Sequence, residues 1–109
     1  MHFKDYQKKA AKTAKYKAIG KMFVYPALGL ANESGEVLGK IKKIFRDYNG
    51  KLTKEYKEAI KHELGDVLWY LAMLSRDLDL DLEEIAKINL KKLDSRLKRG
   101  KLGGDGDNR

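Results

Sequence analysis

Glu33-Ser34-Gly35-Glu36-Val37-Leu38 and, 30 residues further on, Glu63-Leu64-Gly65-Asp66-Val67-Leu68 repeat one pattern: acid, any residue, glycine, acid, valine, leucine. Acids three apart share one face of a helix. The two copies are symmetric about Asn49-Gly50, a pair that stops a helix and turns the chain. A reversal there brings Glu33 level with Asp66 and Glu36 level with Glu63, across a central antiparallel helical hairpin.

Pro26 stands where helices begin, so the first arm of the hairpin is expected over about Ala27 to Tyr48. Thr53 is an N-cap residue type with Glu55 in the first turn, which opens the second arm and carries it to about Asp77 or Leu78. Asp81 with Glu84 three residues later has the form of a capping box, and Leu82, Ile85 and Ile88 continue a further helix to about Leu97. Before the hairpin, Phe3, Tyr6, Ala10, Thr13 and Lys17 keep helical spacing, predicting a short first helix that ends near Gly20. After Arg99 the glycine-rich run Gly100–Arg109 cannot be helical and reads as a tail, mobile unless a ligand or neighbour orders it. The expected fold is therefore all-α and four-helix, with one bundle-like domain over residues 1–99 and a flexible tail over 100–109.

Composition agrees with this class. The chain has 109 residues, one proline and no cysteine, so disulfides, thiol nucleophiles and zinc–thiolate sites are excluded. There is no run of 18 apolar residues and no apolar segment behind Met1, which makes a soluble cytoplasmic protein without a membrane partner the expectation. The net charge of +8 invites a nucleic-acid reading, yet the lysines are spread over every segment rather than gathered in one arm. That distribution describes a solvated lysine-rich surface, and it equally suits a metal-bound polyphosphate.

Helical phase decides whether the acids face solvent. On the third helix Glu63 and Asp66 share their arc with Ala59, Val67, Tyr70 and Leu74, whereas Lys54, Glu58, Lys61 and Arg76 mark the solvent arc. On the second, Glu33 and Glu36 lie beside Leu30, Val37 and Ile44, while Lys42 and Arg46 point elsewhere. Carboxylates gathered on packing faces repel one another and lose hydration unless a cation compensates. No basic residue shares the central arc, and hard divalent cations prefer carboxylate oxygens. A di-iron site would need Glu-x-x-His on two helices, but His62 adjoins Glu63 and only His2 remains. An all-carboxylate Mg²⁺ or Mn²⁺ site of Glu33, Glu36, Glu63 and Asp66 fits better. Gly35 and Gly65, each costing a helix about 1 kcal/mol relative to alanine, suggest close approach of a backbone or ligand.

The stretches Leu28-Gly29-Leu30-Ala31-Asn32-Glu33-Ser34-Gly35-Glu36-Val37, Lys40-Ile41-Lys42-Lys43, Glu63-Leu64-Gly65-Asp66-Val67-Leu68-Trp69-Tyr70-Leu71-Ala72, Asn89-Leu90-Lys91-Lys92-Leu93 and the tail Gly106-Asp107-Asn108-Arg109 together resemble the MazG-like all-α nucleoside triphosphate pyrophosphohydrolases. The resemblance covers nearly the whole chain and is least distinctive over the first 20 residues. It departs at Asn32, where many relatives carry another acid, which puts a second-metal role for that position in doubt.

The resemblance implies Mg²⁺-dependent hydrolysis of a (deoxy)nucleoside triphosphate to monophosphate and pyrophosphate, in nucleotide-pool cleansing. It implies metal binding by Glu33, Glu36, Glu63 and Asp66, with Glu36 chosen as the general base. Asn89 and Lys92, one turn apart, become candidates for phosphate or ribose, and Tyr70, on the Asp66 face, could pack on the nucleotide or in the core. Alternatives are a phosphoribosyl-ATP pyrophosphohydrolase of the same superfamily, a basic helical nucleic-acid-binding module, and a non-catalytic bundle stabilised by metal. A homodimer or homotetramer is expected, because two long helices with broad apolar arcs exceed what two short ones can cover.

Overall fold

The computed structural model describes residues 1–17 and 23–109 of the chain. Among these there are four α-helices and no strand: α1 (Phe3–Ala10), α2 (Val24–Tyr48), α3 (Lys54–Asp77) and α4 (Leu82–Lys98), with a 3₁₀ turn at Ala11–Thr13 following α1. The all-α class and the helical hairpin are as the sequence predicts.

Each boundary has a local cause. Asn49 adopts a left-handed conformation (φ 54°, ψ 37°) that ends α2, and the Gly50 N–H returns to the Ile44 carbonyl at 3.1 Å. The Thr53 hydroxyl caps α3 by accepting from the Tyr56 N–H at 3.2 Å. Asp81 caps α4, accepting through Oδ1 from the Glu83 N–H at 3.0 Å. Pro26 lies in the first turn of α2, where its missing N–H costs nothing, and it is fully buried. Helix α2 begins at Val24, before Pro26, so it is longer at its start than proline placement suggests.

The first helix is shorter than its periodicity predicts. Ala14 leaves helical space (φ −78°, ψ 87°) and residues 14–17 are irregular. The predicted end at Gly20 lies outside the described residues. The reason for the early stop is tertiary, because Thr13 and Tyr16 are committed to side chains of α3. The Trp69 indole N–H donates to Thr13 Oγ1 at 2.9 Å, and the Tyr16 hydroxyl donates to Asp77 Oδ2 at 2.5 Å.

Two packing regions result. Helices α2 and α3 lie against one another as an antiparallel pair, with Tyr48 facing Tyr56 near the turn (ring centroids 5.3 Å apart) and Gly29 facing Tyr70 further along. The second region is the α3–α4 corner, where Ala72, Met73 and Leu82 are buried under Tyr6, Ala10, Ala11, Leu68 and Trp69. Gln7 fastens α1 there: its amide N–H groups donate to the carbonyls of Ala72 (3.3 Å) and Leu80 (3.0 Å), and its Oε1 accepts from the Leu82 N–H (3.2 Å). Two of these bonds, to the Leu80 carbonyl and the Leu82 N–H, satisfy backbone groups at the turn between α3 and α4.

The non-helical tail turns back along α4. Arg96, only 5% exposed, donates through Nη2 to the Asp107 carbonyl at 2.7 Å, and Lys92 Nζ stands 3.4 Å from the Asp107 carboxylate. The Arg109 guanidinium gathers the carbonyls of Lys101, Leu102, Gly103 and Gly106 at 2.6–3.2 Å. Positive φ at Gly104 (94°) and Gly106 (83°) gives the loop this curvature.

Candidate metal centre

Three of the four motif acids converge. Glu33 on α2 and Glu63 and Asp66 on α3 each offer a carboxylate oxygen, and these oxygens lie within 4.8 Å of one another. Glu33 and Glu63 are half-buried and Asp66 is exposed, so the cluster opens to solvent on one side. None of the ion pairs among the described residues involves any of the three.

The electrostatic consequence appears at Glu33. Burial, then the charges of Asp66, Glu63 and Glu36, and finally a hydrogen bond with Glu63 raise its pKa above the usual carboxylate value. The negative charges thus crowd one place with no cation paired to them among the described residues. A hard divalent cation would balance them, and an all-oxygen carboxylate set is the donor chemistry that Mg²⁺ and Mn²⁺ accept.

Glu36 stands apart from this trio. It is exposed and contributes to the field at Glu33, but it is not among the three whose oxygens converge. Spacing is not the cause, since Glu63 and Asp66 are also three apart and both join; the rotation of α2 against α3 is, because it brings Glu33 and not Glu36 to the α3 acids. Glu33 faces α3 and Glu36 is turned outward.

Tyr70 lies one turn beyond Asp66 and senses the cluster: hydrogen bonding to Tyr25, burial, and the charges of Tyr25, Glu33 and Asp66 raise its pKa. The ring lies directly over Gly29, where a Cβ would fall within 2.5 Å of its Cδ1, Cε1 and Cζ atoms. Gly29, one turn before Glu33, is therefore the glycine that permits close approach. Gly35 and Gly65 are not: a Cβ at either would meet nothing within 4 Å, which corrects the expectation of a backbone neighbour there.

Asn89 and Lys92 occupy α4, which packs against α1 and α3 rather than extensively on α2. Asn89 is exposed, and Lys92 is paired with Asp107. The fold does not bring either to the acidic cluster by any hydrogen bond or ion pair among the described residues.

Two residues that touch the site or feel its charge were not singled out by sequence reasoning. Tyr25 meets Tyr70 with ring centroids 6.3 Å apart, and Tyr6, on α1, has its pKa raised by burial and by the charge of Asp66. Gly29 and Tyr70 are symmetric about Asn49-Gly50, so the rule that paired the acids also contained their contact. Nothing comparable pointed to Tyr6, because α1 reaches the hairpin from outside its symmetry.

Comparison with known proteins agrees with this geometry. A family model described as the MazG nucleotide pyrophosphohydrolase domain matches residues 26–100, which take in nearly all of the hairpin and all of α4. The Gene 37 protein of Mycobacterium phage L5 is 43% identical over 114 residues, an alignment spanning the whole of both chains. No solved structure matches the chain.

Proposed function

The chain belongs to the MazG nucleotide pyrophosphohydrolase family, and from this premise we propose that it is a Mg²⁺-dependent enzyme hydrolysing (deoxy)nucleoside triphosphates to monophosphate and pyrophosphate in nucleotide-pool cleansing. The observation that carries the proposal is the convergence of Glu33, Glu63 and Asp66 oxygens within 4.8 Å, with no cation paired to them among the described residues. In this reading the three hold Mg²⁺, or Mn²⁺ in its place, and Glu36 completes the set or works beside it. When bound, the metal would neutralise the phosphate chain and lower the pKa of a coordinated water.

The chain's own residues take the remaining tasks. Glu36, exposed and outside the tight trio, keeps a carboxylate free to accept a proton from the attacking water. The Tyr70 hydroxyl, held neutral by its surroundings, donates toward phosphate or ribose. Asn89 and Lys92 serve phosphate or ribose from α4, which requires Lys92 to exchange its Asp107 partner for substrate.

The proposed assembly is a homodimer or homotetramer. Leu38 and Phe45 on α2 are 66% and 70% exposed, an apolar surface that a further copy would cover. The proposed location is the cytoplasm, and neither nucleic acid nor membrane is a partner in this reading. No helix among the described residues is long and apolar enough to cross a membrane.

The decisive experiment is a panel of NTPs, dNTPs, damaged nucleotides and phosphoribosyl-ATP assayed for pyrophosphate with Mg²⁺ and with Mn²⁺. Glu36→Ala and Asp66→Ala should each abolish release while circular dichroism retains the helices. Unchanged turnover in both variants would remove the assignment.

A further inference from the structure

A layer of aromatic side chains adjoins the carboxylates, and its far end is bolted to α3. Tyr70 follows Asp66 by four residues and Gly29 precedes Glu33 by four, so ring and glycine form the layer one helical turn from the acids. Tyr25 meets Tyr70 at a tilt of 49°, and Tyr16 stacks on Tyr25 at 4.8 Å and 21°. Trp69 closes the group, standing edge-on to Tyr70 at 5.0 Å and to Tyr16 at 6.2 Å.

Tyr16 belongs to the irregular segment 14–17, whose position cannot come from a helical ladder. Its hydroxyl supplies the position. It donates to Asp77 Oδ2 and accepts from Arg76 Nη2 at 3.1 Å, while Arg76 Nε donates to Asp77 Oδ1 at 3.0 Å. The Asp77 side chain is only 4% exposed, so this three-residue network is a fixed point rather than a surface contact. The phenol of Tyr16 in turn stands against Tyr25, which lies in the first turn of α2, where no intrahelical bond restrains its N–H.

Gly29, Trp69 and Tyr25 each meet the Tyr70 ring. One side of its ring rests on Gly29, which offers no Cβ, and Trp69 meets it edge-on. Tyr25, tilted at 49° with its ring centroid 6.3 Å away, is the remaining wall. We infer that Tyr16 is a positioning residue for the nucleotide site: anchored by Asp77 and Arg76, it backs Tyr25 and thereby sets the Tyr70 hydroxyl beside Glu33 and Asp66. The carboxylates themselves sit on interior turns of α2 and α3 and do not depend on this chain of contacts. The role in catalysis rests on the pyrophosphohydrolase reading above; the positioning itself does not.

The test is Tyr16→Phe, which keeps the stacked ring and removes only the anchor. In the full-length protein, ¹³C-tyrosine NMR should show the ring resonances of Tyr25 and Tyr70 shifted or broadened, with those of Tyr48 and Tyr56 unmoved. Asp77→Asn should produce the same pattern from the other end of the bond, and it serves alone if Tyr16→Phe does not fold. In turnover, Tyr16→Phe should raise the triphosphate KM roughly five-fold, the worth of one neutral hydrogen bond, and leave kcat within about two-fold. Tyr70→Phe should do likewise, and the double variant no more than either alone. Unmoved Tyr70 resonances, or KM effects that multiply in the double variant, would overturn the inference. A wild-type chain inert toward every triphosphate removes the function instead, and the ring resonances then decide the positioning by themselves.

Discussion

Replacing Gly29 by alanine puts the register of the hairpin to a quantitative test. A Cβ at that position would lie within 2.5 Å of three Tyr70 ring atoms, whereas carbon atoms rest at about 3.5–4.0 Å. The ring must therefore withdraw by roughly 1 Å or more, against Tyr25 and Trp69. Overpacking of this kind costs about 1–3 kcal/mol, offset by about 1 kcal/mol of improved helix propensity. The expected net loss is about 0–2 kcal/mol, a fall in Tm of up to roughly 15 °C for a chain of this length. Alanine at Gly35 or Gly65 meets open space, so each should gain about 0.5–1 kcal/mol from propensity alone. Urea melts followed by circular dichroism at one protein concentration measure all three variants. Gly29→Ala as stable as Gly65→Ala would refute the close approach of Tyr70 to α2, and with it the register that joins Glu33 to Asp66. Tyr70→Leu in the Gly29→Ala background should recover part of the loss.

Three further outcomes follow from the same structure. The raised pKa of Glu33 means that the folded, metal-free chain binds its proton more readily than the unfolded chain. This group's contribution to stability therefore rises as pH falls from 7 toward the ordinary carboxylate value of 4.5; urea midpoints in EDTA should show a slope that Glu33→Gln lacks and that excess Mg²⁺ reverses. Burial and the Asp77 bond push the Tyr16 phenol up to about 12 from 10.0, so its contribution is complete below pH 10 and lost as pH rises to about 12. Melts at increasing alkaline pH should be steeper for wild type than for Tyr16→Phe, and equal slopes would contradict the buried bond. Arg109→Ala deletes the bonds that gather Lys101, Leu102, Gly103 and Gly106, so amide exchange should accelerate over residues 101–108 while helix stability changes by about 0.5 kcal/mol or less; unchanged tail exchange would show that Lys92, Arg96 and Arg99 hold it without the Arg109 side chain.

Much of the fold is legible because its signals are local. Asn49 tolerates the left-handed conformation that stops α2, and Thr53 and Asp81 carry oxygens that satisfy free N–H groups at the next two helix starts. The acids were legible for a related reason, since two copies of one pattern on two arms of a hairpin come level with each other, although only three of the four converge. The failures are equally physical. Periodicity carried the first helix past Thr13, but Trp69 and Asp77 claim Thr13 and Tyr16, and bonds spanning more than 50 residues leave no local trace. Gly35 and Gly65 were read as sites where a backbone or ligand comes close; no protein atom does, and the glycine under an aromatic ring is Gly29, one turn before Glu33.

By itself, then, the sequence determined the helices, the turn between them and the four acids that could share a centre. All of these depend on interactions within a few residues or on the symmetry of one hairpin. Only the tertiary structure decided that Glu33, Glu63 and Asp66 meet while Glu36 turns outward. It also decided that Tyr25 meets Tyr70, and that Asn89 and Lys92 stand on a helix with other partners. Helical phase gives the direction of a side chain about its own axis. Which side chains touch depends on how far one helix slides and rotates against the next, and that is set by packing between residues distant along the chain.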